Sequence, residues 1–287
     1  MSVSTQLPEV ETTRTVVIEI GGVPIEVQTT DPEFEHVLRG RYRDFIRPGS
    51  EPIFALRVQI APPDPSDLDG DAEVWLEGTE WRMKRGDFHA CWSTTERRGE
   101  VRQSANPYSI DSVLRILHTL ILAPEGGFLL HASSAVRSGK AYLFSGVSEA
   151  GKTTMARLAP QDVTLLTDEA SYVRKVNEEY FAFGTPFAGE LGEPGKNISA
   201  PVAALYLLKK ARENRIEPMT SAEAIHCLLR NILFFAHQPE MVRQVFYAAC
   251  AFVEAVPVYE LSFFPDRRIW ELIGDHGICG NVSLPKY

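Results

Sequence analysis

The octapeptide Gly146-Val147-Ser148-Glu149-Ala150-Gly151-Lys152-Thr153 has the pattern Gly-x-x-x-x-Gly-Lys-Thr, and it predicts the fold of the second half of the chain. An apolar run at residues 141–145 predicts a strand before it, and a helix is expected to begin near Lys152. In this context loop N–H groups surround phosphate oxygens, the lysine reaches the outer phosphates and the threonine hydroxyl ligates Mg²⁺. The glycines permit the close approach of backbone to ligand, and the helix N-terminus adds positive partial charge. The pattern, a Walker A motif or P-loop, predicts nucleotide binding by Gly146, Val147, Ser148, Glu149, Ala150, Gly151, Lys152, Thr153 and Thr154. The alternative is a glycine turn that merely precedes a helix.

A second motif follows soon afterwards, where the apolar residues 165–166 lead through Thr167 into Asp168 and Glu169. We interpret it as a strand that ends in two carboxylates, and in a parallel sheet such an end lies beside the phosphate loop. One carboxylate can hold Mg²⁺, and the other can orient or deprotonate an acceptor hydroxyl. The alternative is an acidic turn that faces solvent.

The first part of the chain is β-rich. Residues 15–20 and 23–27 predict a hairpin around Gly21-Gly22, and residues 54–60 alternate with the period of a strand. Residues 62–71 form a polar, proline-rich loop, and strands are predicted around 73–76 and 88–92. Apolar residues at helical spacing predict a helix over 109–122. We therefore predict a smaller β-rich domain at 1–105 and an α/β (mixed α+β) domain at 106–287.

Short strands and helices are predicted throughout the second domain. The strands are expected at residues 128–136, 141–145, 163–166, 171–173, 180–183, 203–208 and 258–261, and the helices near 221–236 and 239–253. Residues 189–200 are long and polar enough for an acceptor or lid loop, or for a plain surface loop. We expect Phe234, Phe235, Phe246 and Tyr247 to belong to the core and not to an adenine-stacking surface.

Residues 130–136, 143–154 and 166–169 together resemble the C-terminal catalytic domain of HPr kinase/phosphorylase, the HPr serine kinases, and its kinase-like relatives. Residues 184–190 and 200–208 are similar to downstream segments of these relatives, so the resemblance covers about 128–275. It implies a P-loop kinase fold of the HPr kinase/phosphoenolpyruvate carboxykinase type. Glu149 stands where the family often has glycine, and Glu169 stands where a second aspartate usually follows. By the resemblance, Asp168 is the acid/base aspartate, His131 an active-site histidine and Glu190 a metal-linked glutamate.

The function expected from these motifs is an ATP- and Mg²⁺-dependent kinase. It transfers the γ-phosphoryl group to a hydroxyl acceptor, such as a serine of a protein or peptide, or a small molecule. Lys152, Asp168 and His131 are the predicted catalytic residues, and Thr153, Glu169 and Glu190 the predicted metal ligands. His131 alone also fits a satisfied strand histidine, and a non-catalytic ATP-binding regulatory or partner protein is the main alternative. Two other enzyme classes are disfavoured. Carboxykinase-like decarboxylation would need a second metal site and an arginine-rich pocket, for which the chain is short. A GTPase would need an Asn-Lys-x-Asp motif, and none follows the glycine loop.

Composition and net charge disfavour other classes of partner, although a local basic site is compatible with them. The formal net charge is -9 and the pI is near 5.4, which disfavours nucleic acid and anionic membranes. The four cysteines, Cys91, Cys227, Cys250 and Cys279, have no metal-ligand spacing and are expected to be reduced. The N-terminal residues lack a leader pattern and no long apolar run occurs, so a cytoplasmic location is expected and the sequons at Asn197 and Asn281 carry no glycan. The family resemblance also implies a homo-oligomer.

Overall fold

The structure is a computed structural model that describes residues 12–63 and 70–279, with the backbone alone at 275–279. The chain divides into two units, Met1–Glu19 with Val23–Ile110, and Ile20–Gly22 with Asp111–Tyr287. This division falls within a helix, near the boundary between 105 and 106 that the sequence predicts. The described residues form two β-sheets with helices between their strands, so the mixed α/β class is confirmed.

The strands of the N-terminal unit form one sheet. Their bounds are β1 Arg14–Ile20, β2 Val23–Thr29, β3 Phe54–Ile60, β4 Glu73–Glu77, β5 Glu80–Arg85, β6 Phe88–Ser93 and β7 Arg98–Gln103. Among the described residues the order of these seven strands is β1-β2-β3-β7-β6-β5-β4. Strands β2, β3 and β7 are parallel neighbours, whereas β4, β5, β6 and β7 form an antiparallel meander.

Local sequence signals explain the start of this unit. Gly21 and Gly22 have φ values of 62° and 76°, the left-handed conformation of a two-residue hairpin turn, and the predicted hairpin is confirmed. Helix α1 (Pro32–Arg41) follows β2, and the side chain of Asp31 caps it by accepting hydrogen bonds from Glu33 N and Phe34 N. Helix α1 was not predicted from the sequence, although the Asp-Pro pair at its start is a helix N-terminus signal.

The C-terminal unit begins within helix α2, which contains the division. The bounds of its elements are α2 Pro107–Leu122, β8 Phe128–Arg137, β9 Lys140–Ser145, α3 Lys152–Arg157, β10 Thr164–Thr167, β11 Ala170–Val176, β12 Glu179–Phe183, β13 Ser199–Lys210, β14 Arg215–Pro218, α4 Ser221–Leu229, β15 Ile232–Leu233, α5 Pro239–Ala255, β16 Val258–Phe263 and α6 Ile269–Cys279. Two short 3-10 segments, Arg43–Phe45 and Ala123–Glu125, complete the helices of the described residues. None of the described helices combines the length and apolar composition that a bilayer span requires.

The sheet of the C-terminal unit is mixed. Strand β8 is antiparallel to β9, β10, β11 and β15, whereas β13 is parallel to both β9 and β16. Strand β9 is buried on both faces, because Leu143 belongs to one core cluster and Phe144 to another. Phe252 of α5 belongs to the first cluster and Trp270 of α6 to the second, so helices cover both faces.

Two predictions about the later helices are wrong. Helix α4 ends at Leu229 and not near 236, because the following residues Ile232–Leu233 pair with β8. Phe246 and Tyr247 are 46% and 61% exposed and do not belong to the core. The buried stripe of α5 is formed instead by Met241, Val245, Ala248, Ala249 and Phe252, at helical spacing.

Some predictions concern residues that lie outside the described ones. These are the missing leader pattern in residues 1–11, most of the polar loop at 62–71, and the sequon at Asn281.

Candidate functional site

The glycine-rich segment leaves β9 at Ser145 and turns tightly before α3. A Cβ atom at Gly146 would lie 2.9 Å from Ala150 Cβ, and a Cβ at Gly151 would lie 2.5 Å from the Phe263 ring. Gly151 also has a φ of 115°, which disfavours other residues. Both glycines are therefore required by the path of the loop, as the motif predicts.

The side chain of Lys152 lies within this loop. It is 7% exposed, and its Nζ donates hydrogen bonds to Gly146 O at 3.0 Å and Val147 O at 3.2 Å. Burial lowers the pKa of this ammonium, whereas the carboxylates of Glu169 and Glu190 act in the opposite direction. Its direct partners are neutral carbonyls, so a bound anion would improve its electrostatic environment.

The strand directions bring the two sequence motifs to one edge of the sheet. Because β8 is antiparallel to both β9 and β10, these two strands run in the same direction on either side of it. Ser145 at the end of β9 pairs with Ala132, and Thr167 at the end of β10 pairs with Ser134. The glycine loop and the carboxylate turn therefore flank β8, whereas the sequence analysis expected a parallel sheet at this point.

The ends of the parallel strands meet at the same edge. Since β9, β13 and β16 run in one direction, the segments after Ser145, Lys210 and Phe263 all leave the sheet at the same edge. Phe264 follows β16 and is 45% exposed. An exposed aromatic ring at this edge was not singled out by the sequence analysis.

Both carboxylate oxygens of Asp168 accept hydrogen bonds from the backbone of a later loop. Asp168 is 5% exposed, and its Oδ1 and Oδ2 accept hydrogen bonds from Gly189 N and Leu191 N, each at 2.9 Å. A Cβ at Gly189 would lie 2.9 Å from Asp168 Oδ2, which explains the glycine there. The carboxylate therefore fixes the start of residues 189–200 beside the carboxylate turn.

Glu169 points to a different set of partners. One of its carboxylate oxygens, Oε1, lies 3.8 Å from Arg115 Nη1 and 3.8 Å from His131 Nδ1. The guanidinium of Arg115 also lies 4.8 Å from the centre of the Phe187 ring. Sequence reasoning missed Arg115, although a charged residue within the apolar pattern of helix α2 was a readable signal.

His131 is held as a neutral imidazole. Burial, together with the positive charge of Lys152, lowers its pKa, and Glu169 opposes this shift. His131 Nδ1 lies 3.2 Å from the backbone oxygen of Glu169. A carbonyl oxygen can only accept, so Nδ1 carries the proton and Nε2 offers a lone pair.

The remaining predicted residues lie in the loop, in helix α3 or near Lys152. Thr153 and Thr154 are half-buried, and Glu190 is exposed but close enough to Lys152 to act on its pKa. Glu149, whose φ is 62°, lies 3.9 Å from Lys210 Nζ with its side chain 85% exposed. Its carboxylate thus points outward toward a cation and away from the interior of the loop.

The oxygen donors at this edge suit a magnesium ion. The described residues contain no group of three or more His, Cys, Asp or Glu side chains arranged to hold a metal. Thr153, Glu169 and Glu190 instead offer one hydroxyl and two carboxylates, the hard oxygen ligands that Mg²⁺ prefers, usually completed by water and phosphate. The chemistry of these donors fits the ion implied by the motif.

The fold and the site define a mixed α/β protein in which a glycine loop and a carboxylate turn meet at one sheet edge. Residues 106–276 match the model of the family described as SynChlorMet cassette protein ScmC, and the chain belongs to this family. No match is found among the curated proteins.

A solved structure, the Hpr(Ser) kinase/phosphatase from Coxiella burnetii, is weakly similar to this chain. The two are 14% identical with a TM-score of 0.31, over 51% of this chain and 86% of that chain. This likeness is too weak to support a statement about the present fold or activity.

Proposed function

We propose that this protein is an ATP- and Mg²⁺-dependent phosphotransferase of the P-loop kinase type, acting on a hydroxyl acceptor such as a serine of a protein or peptide. One observation carries the proposal. The ammonium of Lys152 is buried inside a glycine loop at the sheet edge that also holds the carboxylate turn. The arrangement matches what phosphoryl transfer requires, namely positive charge at the phosphates and carboxylates beside them.

Each residue then has a defined task. The loop N–H groups and Lys152 bind the phosphates and stabilise the charge that develops on the transferred group. Thr153, Glu169 and Glu190 would hold Mg²⁺, and the bound ion would neutralise phosphate charge. Arg115 lies beside Glu169 and limits the electrostatic repulsion among these anions.

Two residues are candidates for accepting the proton of the acceptor hydroxyl. The family resemblance assigns this role to Asp168, whose carboxylate lies at the turn. The geometry also supports His131, because its ring is neutral and its Nε2 has a lone pair. In that case Asp168 acts as a positioning residue that holds residues 189–191.

A second candidate function is non-catalytic nucleotide binding by a regulatory or partner protein. The observation that favours it is the occupation of both Asp168 oxygens by backbone N–H groups. A carboxylate fixed in this way is less available as a base.

The test is a transfer assay with purified protein, Mg²⁺, ATP labelled in the γ-phosphoryl group and fractionated extract as the acceptor source. A kinase should release ADP faster with one fraction and leave acid-stable label on a hydroxyl, and Lys152→Ala or EDTA should strongly reduce both. Saturable ATP binding without labelled product in any fraction would favour the second candidate. An absence of ATP binding would exclude both.

A further inference from the structure

The N-terminal sheet has an outward face that the proposed function does not use. Along β3 the residues alternate, so that Leu56 and Val58 are buried while Arg57 and Gln59 are exposed. The outward residues of this and neighbouring strands line a cavity of about 680 Å³. This volume is within the range of sites that hold ligands.

Strand register joins these residues into continuous cross-strand ladders. The longest crosses six neighbouring strands, and its members are Gln28, Arg57, Glu100, Cys91, Arg82 and Trp75. A second ladder beside it contains Gln59, Arg102, His89, Lys84 and Glu73. At ~4.8 Å between strands, the longer ladder spans about 24 Å. We call this surface the arginine face, defined by Arg57, Arg82 and Arg102.

The two ladders carry the cations Arg57, Arg82, Arg102 and Lys84 and the carboxylates Glu100 and Glu73, so the arginine face is basic although the chain as a whole has a net charge of -9. Arg82 already pairs with Glu77 and Glu80. Within the described residues, neither Arg57 nor Arg102 forms an ion pair. Arg102 is also directly opposite His89 in the antiparallel register of β6 and β7.

We propose that the arginine face binds an extended acidic peptide segment of a partner protein. Arg57 and Arg102 lie on neighbouring strands one ladder apart, which places their Cα atoms about 8 Å from each other. Alternate side chains of an extended peptide are separated by about 7 Å, so two carboxylates can engage both guanidinium groups in bidentate fashion. Trp75, 38% exposed at the end of the ladder, offers an apolar contact beyond them.

The carboxylate of Glu100 in the longer ladder favours a peptide over a nucleic acid as the ligand. Glu100 lies on the strand next to Arg57, between Arg57 and Arg82 in register. It would repel an unbroken row of phosphates, whereas a peptide can place a neutral residue opposite it. Spaced carboxylates are therefore the matching ligand, and the proposal does not depend on the activity of the C-terminal unit.

The free thiol of Cys91 lies in the middle of the ladder and reports occupancy. The probe is an end-capped heptapeptide that alternates glutamate with threonine, and the matched control has glutamine in place of glutamate. We expect the acidic peptide to slow alkylation of Cys91, measured by peptide mass spectrometry, without changing Cys227 or Cys250. The effect should weaken as salt is added.

Variants of the face complete the test. Arg57→Gln combined with Arg102→Gln should raise the half-protecting peptide concentration about tenfold, as expected for two exposed charge pairs. Arg43→Gln, which removes an exposed charge elsewhere in the same unit, should leave it unchanged.

Several outcomes would overturn the proposal. They are equal protection by the glutamine peptide, no protection by the acidic one, and tighter binding of single-stranded DNA at the same thiol. If the double variant does not fold, the comparison of the two peptides on the unmodified protein decides the question. Lys152→Ala should not alter Cys91 protection, so failure here is distinguishable from failure of the proposed phosphotransferase.

Discussion

The glycine loop after β9 and the carboxylate turn after β10 lie on either side of β8, yet they are built in different ways. The loop is formed by backbone that surrounds the ammonium of one lysine. In the turn, the two carboxylates have different partners. Asp168 fixes residues 189–191, whereas Glu169 lies near Arg115 and His131. Adjacent acidic residues in a sequence can therefore have separate structural and electrostatic roles.

The largest expected effect belongs to the loop. Lys152→Ala should reduce phosphoryl transfer on the order of 10³-fold and nearly abolish thermal stabilisation by Mg-ATP, because the phosphates lose their internal positive charge. The matched control is Lys210→Ala, which removes an exposed ammonium beside Glu149. It should change both quantities little.

Differential scanning fluorimetry with a nucleotide titration measures the stabilisation, and single-turnover transfer measures the rate. Undiminished stabilisation of Lys152→Ala by Mg-ATP would contradict the role of the loop.

The next effect separates the two carboxylates of the turn. Asp168→Asn should lower transfer by about a hundredfold if Asp168 is the base, with nucleotide affinity retained. If Asp168 instead positions the loop, asparagine can accept only one of the two backbone hydrogen bonds. Residues 189–191 should then become more susceptible to proteolysis and to hydrogen exchange.

Glu169→Gln is the comparison for that variant. It should weaken Mg²⁺-dependent nucleotide binding while leaving the exchange rates of Gly189 and Leu191 unchanged, because the N–H groups of these two residues donate to Asp168. Equal consequences of the two substitutions would contradict the division of roles.

A smaller effect concerns pH. The pKa of His131 is lowered by burial and by Lys152, so the imidazole stays neutral below the usual histidine range. If His131 accepts the proton, the transfer rate should persist below pH ~6.5 and fall only as the pH drops through this lowered pKa.

His131→Asn should lower the rate of transfer about tenfold or more and should remove the fall in rate at low pH. A profile unchanged by the substitution would leave Asp168 as the candidate base.

The glycine loop between β9 and α3 could be predicted from the sequence because its residues are contiguous and lie between a strand and a helix. The carboxylate turn was equally visible, but the roles of its two residues were not. The N–H groups that occupy Asp168 come 21 and 23 residues later in the chain. Arg115 was missed because the apolar pattern of α2 dominates its surroundings.

Strands with few apolar residues were also missed. In β7 (Arg98–Gln103) only Val101 is apolar, since one face of this strand is polar and exposed. Strands β5 and β14 also carry several charged residues and were not predicted. The arginine face could not be predicted at all, because Arg57, Arg82 and Arg102 come from three different strands and are brought together only by the register of the sheet.

The most direct test of a magnesium-nucleotide site at this loop is calorimetric titration of ATP with Mg²⁺ and with EDTA. It uses the unmodified protein, Thr153→Val, which removes the hydroxyl at similar volume, and Thr153→Ser, which keeps it. We predict that Mg²⁺ raises the affinity about tenfold in the unmodified protein and in Thr153→Ser, but not in Thr153→Val. Equal affinities with Mg²⁺ and with EDTA in the unmodified protein would contradict the assignment.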